Sequence, residues 1–300
     1  MHKMNFRTDL ALERQEILGD TKIEGVTSSI ENKNNARISR ISIDNEIGAE
    51  KIGKPIGKYI TIEVPPFSKD AEVLDGRLDA LAEELSKLLP ESGTILVAGL
   101  GNENITPDAL GPRCAQMILA TRHISDELAN SIGMSHLRSV AGISPGVLGQ
   151  TGIETGEIIA GIVKKIKPSA VITVDALASR RLKRLGCTVQ LSDTGVTPGS
   201  GVGNARAKIS KDTIGVPVIA MGVPTVVDAA TLAYDILQGE KNEINESDMR
   251  KSLGDEVNRM MITPREIDLL VERAAKLIAM AINCALQPML PAEDILTLVT

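Results

Sequence analysis

The stretch Thr94–Pro112, TILVAGLGNENITPDALGP, constrains the fold of this chain more than any other. Thr94–Ala98 is a β-branched apolar run of the length of a buried strand, and Gly99-Leu100-Gly101-Asn102 interrupts it with residues suited to a tight turn. The strand is therefore expected to end at Gly99. Beyond a short loop, Thr106 suits an N-cap, Pro107 the first helical position and Asp108 the first turn, where the helix dipole favours a carboxylate. An acid just past the carboxyl end of a strand stands where open α/β sheets bind their ligands.

The remaining segments are placed around that acid. Met1 to about Ile30 is polar and lacks sustained periodicity, which predicts a loosely held arm. ARISRISI and KYITIEV, between Ala36 and Val64, alternate with period two and predict half-buried antiparallel strands ended by Pro65-Pro66. Leu78, Leu81, Leu85, Leu88 and Leu89 form a helical stripe over Asp75–Leu89. The helix carrying Asp108 is expected to reach about His123, and a further helix to cover Glu154–Lys167. Ala170–Val174 then reads as a second buried strand, followed at once by Asp175. A helix between two strands predicts a right-handed crossover and parallel pairing, so that neighbouring strands would open Asp108 and Asp175 onto one crevice. Val216–Met221 is a third such strand, expected to end in Gly222 with a helix from about Pro224. Gln238–Arg250 reads as a linker or surface loop, and Thr263-Pro264-Arg265-Glu266 as a capping box opening the last clear helix. The order predicts an α/β fold: a three-layer sandwich around a mostly parallel sheet, with an antiparallel N-terminal addition.

Composition narrows the function. Three hundred residues, 43% hydrophobic, fit one domain. A net charge of −6 is too small to imply a polyanion partner, and 1% aromatic residues leave no stacking platform for single strands, so nucleic-acid binding is not expected. Cys114, Cys187 and Cys284 lack CxxC spacing and read as small hydrophobes in a reducing compartment. No apolar run approaches the ~18 residues of a membrane span and no signal peptide is evident, which points to the cytosol.

Several motifs have plainer readings. Gly142-Ile143-Ser144-Pro145-Gly146 matches G-x-S-x-G, but Pro145 has no N–H for an oxyanion hole, and a turn explains it. Gly99–Gly101 and Gly199–Gly203 do not complete a dinucleotide fingerprint and read as turns. Arg180, Arg181, Lys183 and Arg184 read as a solvated helix face, and His123 and His136 lie in no metal-binding pattern. The aspartates differ. A buried carboxylate costs several kcal/mol unless paired, bonded or protonated. Two held close cannot both ionise readily, so one keeps its proton while the other accepts one from water, which equips a site to hydrolyse an amide. From pattern alone, a helix-dipole residue and a helix cap stay open as alternatives.

Seven blocks together resemble the germination protease family of spore-forming bacteria: FRTDLALE, GLGNENITPDALGP, SPGVLGQTGIETGEI, VDALASR, SDTGVTPGSGVGNAR, GVPTVVDA and TPREID, over roughly Phe6 to Leu286. The resemblance implies an endopeptidase that degrades small acid-soluble spore proteins in the cytoplasm of the spore core during germination. It implies Asp108 and Asp175 as catalytic aspartates, with no cofactor or metal. It also implies a homotetrameric zymogen that removes its own propeptide, residues 1–9, by cutting between Asp9 and Leu10, leaving residues 10–300 as one peptidase domain. The family is similar in fold to hydrogenase maturation proteases. Those relatives bind a metal, so a metal-assisted endopeptidase stays open, as does a non-catalytic peptide-binding protein using the same crevice.

Overall fold

The structure, a computed structural model, describes residues 8–19, 23–69, 71–131, 136–203, 206–238 and 246–299. One sheet contains β1 (Val26–Lys33), β2 (Ala36–Ile43), β3 (Gly57–Glu63), β4 (Ile95–Gly99), β5 (Val140–Ile143), β6 (Ala170–Ser179), β7 (Thr188–Ser192), β8 (Val218–Asp228) and β9 (Met261–Ile262). Its order is β1-β2-β3-β7-β8-β6-β4-β5, with β9 joined to β8. β5, β4, β6 and β8 run parallel, while β7, β3, β2 and β1 continue the sheet antiparallel.

Alternation along the central strands produces the layers. On β4, Ile95 and Val97 enter one core and Leu96 and Ala98 the other. The first core is covered by the helices Gly76–Ser86, Leu110–Gln116 and Ile267–Leu286, the second by Thr155–Ile166 and Lys211–Ile214. Both faces are thus dry, which is why β4 and the start of β6, Ala170–Ile172, are apolar. Fully buried side chains such as Ile278 and Ile282 each contribute about 1.5–3 kcal/mol. The fold is the predicted α/β sandwich, and β4 and β6 are the expected parallel neighbours, with Gly99 opposite Val174.

Several expectations change in the folded chain. The N-terminal arm is docked, because Leu10 and Ala11 are fully buried, Ala11–Leu18 is helical and Val26–Lys33 forms the edge strand. Residues 1–7, most of the expected propeptide, lie outside the described residues. The helix after Asp108 stops at Gln116, because the Asn283 side chain accepts from Leu119 N–H and donates to Met117 C=O, 2.9 Å each. β8 runs through Gly222 and Pro224 to Asp228. Pro224 is tolerated because β7 pairs no further than Gly222, and the register against β6 shifts between Leu177 and Ala178, making Thr225 the extra residue of a bulge. The last long helix begins at Ile267, with Glu266 at its N-cap and no side-chain cap bond. The polar segment from Gln238 ends inside a helix, Glu246–Arg259, while residues 239–245 lie outside the described residues. In the basic cluster Arg184 is buried, bonded to Glu16 at 2.5 Å and near Glu63 at 3.3 Å and Glu13 at 3.4 Å.

Candidate active site

Asp108 follows β4 through a compressed turn. Gly101 has φ 116°, and a Cβ there would lie 2.1 Å from the Asp108 carbonyl oxygen, so only glycine fits. Thr106–Asp108 is one turn of 3-10 helix whose N-cap is Ile105, not Thr106, and the α-helix starts only at Leu110. The Asp108 carboxylate turns back to accept the Asn102 N–H at 2.6 Å instead of capping a helix. A Cβ on Gly111 would stand 2.2 Å from Leu100 O and 2.4 Å from Val174 O, so this glycine lets the helix pack onto β4 and β6. Thr225, the bulge residue, donates to Pro107 O at 2.7 Å and ties the loop to β8.

Asp175 sits within β6, which continues to Ser179, so it caps no helix. Only 8% of it is exposed, and its Oδ1 accepts the Ala176 N–H at 2.9 Å. It lies opposite Gly222 of β8, which in turn lies opposite Gln190 of β7. A Cβ on Gly222 would stand 2.4 Å from Asp175 O and 2.8 Å from Leu177 Cγ, so glycine is needed in the middle of this row. Burial, then the charge of Asp108, then that of Asp9, push the Asp175 carboxyl well above the ordinary range. Burial also raises Asp108, with the Asn102 N–H opposing.

A crevice of about 510 Å³ opens over Asp175 and is lined also by Asp9, Lys54, Gln190, Ser200 and Gly222. Asp108 is not part of its lining; its charge reaches the crevice through Asp175. The chain's own N-terminal segment lies here. Asp9 pairs with the end of β6, its N–H donating to Ala178 O and its Oδ2 accepting the Ala178 N–H, both at 2.9 Å. Ser200 Oγ donates to Asp9 Oδ1 at 3.0 Å. The Asp9 carbonyl oxygen accepts from Lys54 Nζ and Gln190 Nε2, each at 2.9 Å, and Gln190 Oε1 accepts the Ala11 N–H at 2.7 Å. Leu10, between these bonds, is fully buried and donates its N–H to Thr8 Oγ1 at 3.1 Å. Thr8 Oγ1 in turn bonds Glu13, which also accepts the backbone N–H groups of Arg180 and Arg181 at 2.7 and 3.0 Å.

All four residues singled out in the sequence, Asp108, Asp175, Asp9 and Leu10, therefore meet at one end of the sheet. Lys54, Gln190 and Ser200 were not singled out. Ser200 stood in one of the quoted blocks without a role, whereas Lys54 and Gln190 carried no motif signal. Among the described residues no group of three or more His, Cys, Asp and Glu side chains is arranged to hold a metal ion. No helix among them is long and apolar enough to cross a membrane.

A buried aspartate coupled to a half-buried one, beside a crevice lined by the chain's own Thr8 and Asp9, defines the site of this α/β protein. The germination protease family model matches residues 5–239, and the chain belongs to that family. It is 44% identical over 315 residues to a germination protease of Caldanaerobacter subterraneus subsp. tengcongensis, covering 97% of each chain. It is likewise 44% identical over 319 residues to one of Clostridium perfringens, covering 97% of this chain and 98% of the relative. To one of Bacillus cereus it is 36% identical over 357 residues, covering 98% and 97%. A crystal structure of a NiFe hydrogenase maturation protease, HycI, from Thermococcus kodakarensis overlays with a TM-score of 0.36 and 18% identity, covering 66% of this chain and 97% of that one. The chain is thus a peptidase with a role in spore germination.

Proposed function

We propose that this chain is an aspartic-type endopeptidase that cuts small acid-soluble spore proteins, and first its own Asp9–Leu10 bond, with Asp108 and Asp175 as the acid–base pair. The observation that carries this reading is the Asp9–Leu10 peptide lying in the crevice over Asp175, bonded on both sides of Leu10. In this reading Asp175, buried within β6 and raised by burial and by the charge of Asp108, serves as the acid. Ionised Asp108 takes a proton from water, the water oxygen bonds to the Asp9 carbonyl carbon, and Asp175 delivers its proton to the Leu10 nitrogen as the C–N bond breaks. The residue types on either side of the cut are matched to their surroundings: the acidic Asp9 faces two donors, and Leu10 is fully buried. A spore protein would enter as an extended segment with an acidic residue followed by a large apolar one.

Asp108→Asn and Asp175→Asn, each in the full chain, are expected to stop loss of residues 1–9 and cleavage of a spore-protein-like peptide while leaving far-UV circular dichroism unchanged. Wild-type single-turnover cleavage in either variant would remove that residue from the mechanism. The homotetramer and the spore-core location follow the family resemblance, and sedimentation of the full chain tests the first of them.

A further inference from the structure

We propose that Lys54 and Gln190 are catalytic residues that receive the negative charge developing on the carbonyl oxygen of the scissile bond. The proposal rests on the reading of Asp9–Leu10 as a bond this site cuts. Its basis is that two side-chain donors, from elements far apart in sequence, converge on the Asp9 carbonyl oxygen at 2.9 Å each, the oxygen on which charge develops when the carbonyl carbon is attacked.

Gln190 is not free to turn away. Gln190 uses its carbonyl oxygen for the Ala11 N–H at 2.7 Å and its NH2 for the Asp9 carbonyl, and only one amide orientation satisfies both partners. It stands on β7, one glycine away from Asp175 across β8, and both residues line the same crevice. Lys54 follows Gly53, whose φ of 72° closes the preceding helix, and precedes Pro55, whose carbonyl accepts the Tyr59 hydroxyl at 2.9 Å. Its ammonium meets a carbonyl instead of a carboxylate, so its charge is not spent on an ion pair there. Burial lowers the Lys54 pKa, the Asp9 carboxylate opposes this, and Arg14 adds to it. In the step itself the water oxygen bonds to the Asp9 carbonyl carbon, the water proton passes to the ionised carboxylate, and the carbonyl π pair moves onto the oxygen. Lys54 Nζ and Gln190 Nε2 meet that charge and keep their own protons. The oxyanion then re-forms the carbonyl as the bond to Leu10 nitrogen breaks and that nitrogen takes a proton from the acid.

The test uses the full chain and follows loss of residues 1–9 by intact mass, alongside cleavage in trans of a peptide containing Asp-Leu. Lys54→Met and Gln190→Leu are each expected to lower the self-processing rate and kcat by about 10²–10³-fold, as loss of one oxyanion donor does. Lys54→Arg, which restores a cationic donor, recovers part of the loss. Gln190→Glu keeps the acceptor for Ala11 and loses the donor, so its rate relative to wild type rises as pH falls and the new carboxyl protonates. Raised KM with unchanged kcat in Lys54→Met and Gln190→Leu would assign the pair to ground-state holding and overturn the proposal. So would a Gln190→Glu ratio that ignores pH. Asp175→Asn, run in parallel, separates the two readings. If it cleaves at the wild-type rate, the acid–base assignment falls; if it is inactive while Lys54→Met keeps wild-type kcat, only the present inference falls.

Discussion

Gly201→Ala probes how the crevice grips the acidic side chain before the cut. Gly201 lies in the 3-10 turn Ser200–Val202, where a Cβ would come 2.1 Å from Asp9 Oδ2 and 2.8 Å from Ala178 Cβ. Its φ is not in the left-handed region, so alanine brings no backbone strain of its own. The added methyl must displace the Asp9 carboxylate, which then loses the Ala178 N–H at 2.9 Å and the Ser200 hydroxyl at 3.0 Å. Hydrogen bonds to a charged group contribute about 1.5–3 kcal/mol each. Loss of the pair, at the lower figure for each, is about 3 kcal/mol, or roughly a hundredfold in the docking equilibrium at 1.4 kcal/mol per factor of ten. The expected result is a self-processing rate about a hundredfold lower, with faster hydrogen exchange at the Leu10 and Ala11 amides and little change in the denaturation midpoint. Asp9→Gly removes the same two bonds, so adding it to Gly201→Ala is expected to lower processing and amide protection little further. Wild-type processing and wild-type amide protection in Gly201→Ala would refute this account of the acidic subsite.

Two further predictions follow from burial. Asp175 has a folded-state pKa above its unfolded value, so its ionisation costs stability as pH rises from the ordinary carboxylate range through the raised value. Asp175→Asn removes that cost and keeps an acceptor for Ala176 N–H, so urea denaturation should find the variant more stable than wild type near neutral pH, with the difference shrinking on acidification; a pH-independent difference would contradict the assignment. Arg184→Met leaves the buried Glu13 without its cation and should cost about 3–5 kcal/mol, read as a lower urea midpoint and as limited proteolysis within residues 8–18.

Much of the fold was readable from local pattern. β4 and the start of β6 are short β-branched runs buried on both faces, and the helices Gly76–Ser86 and Thr155–Ile166 follow their apolar stripes closely. Asp108 and Asp175 stood out because a carboxylate at the end of a buried strand is costly unless chemistry uses it. The misreadings have a common cause. β8 runs through Gly222 and Pro224 because its neighbours end or shift register there, and the helix after Asp108 stops because Asn283, 164 positions from Leu119, binds the backbone beyond it. The N-terminal segment looked loosely held because its helix has almost no apolar face, whereas Glu13 and Glu16 anchor it to the buried Arg184.

By itself, then, the sequence determined the central strands β4 and β6 and the helices Gly76–Ser86 and Thr155–Ile166, the two aspartates that follow or sit in those strands, and which family the chain resembles. These depend on periodicity, turn residues and short motifs, all of which act within a few positions along the chain. Tertiary structure alone decided what fills the crevice and what grips it. Lys54 meets Asp9 across 45 positions and Gln190 meets it across 181, so no local pattern could pair them. The Asp9 oxygen gains both donors because β7, in the same sheet as β6, brings Gln190 to it and the loop between the helix Glu46–Ile52 and β3 brings Lys54.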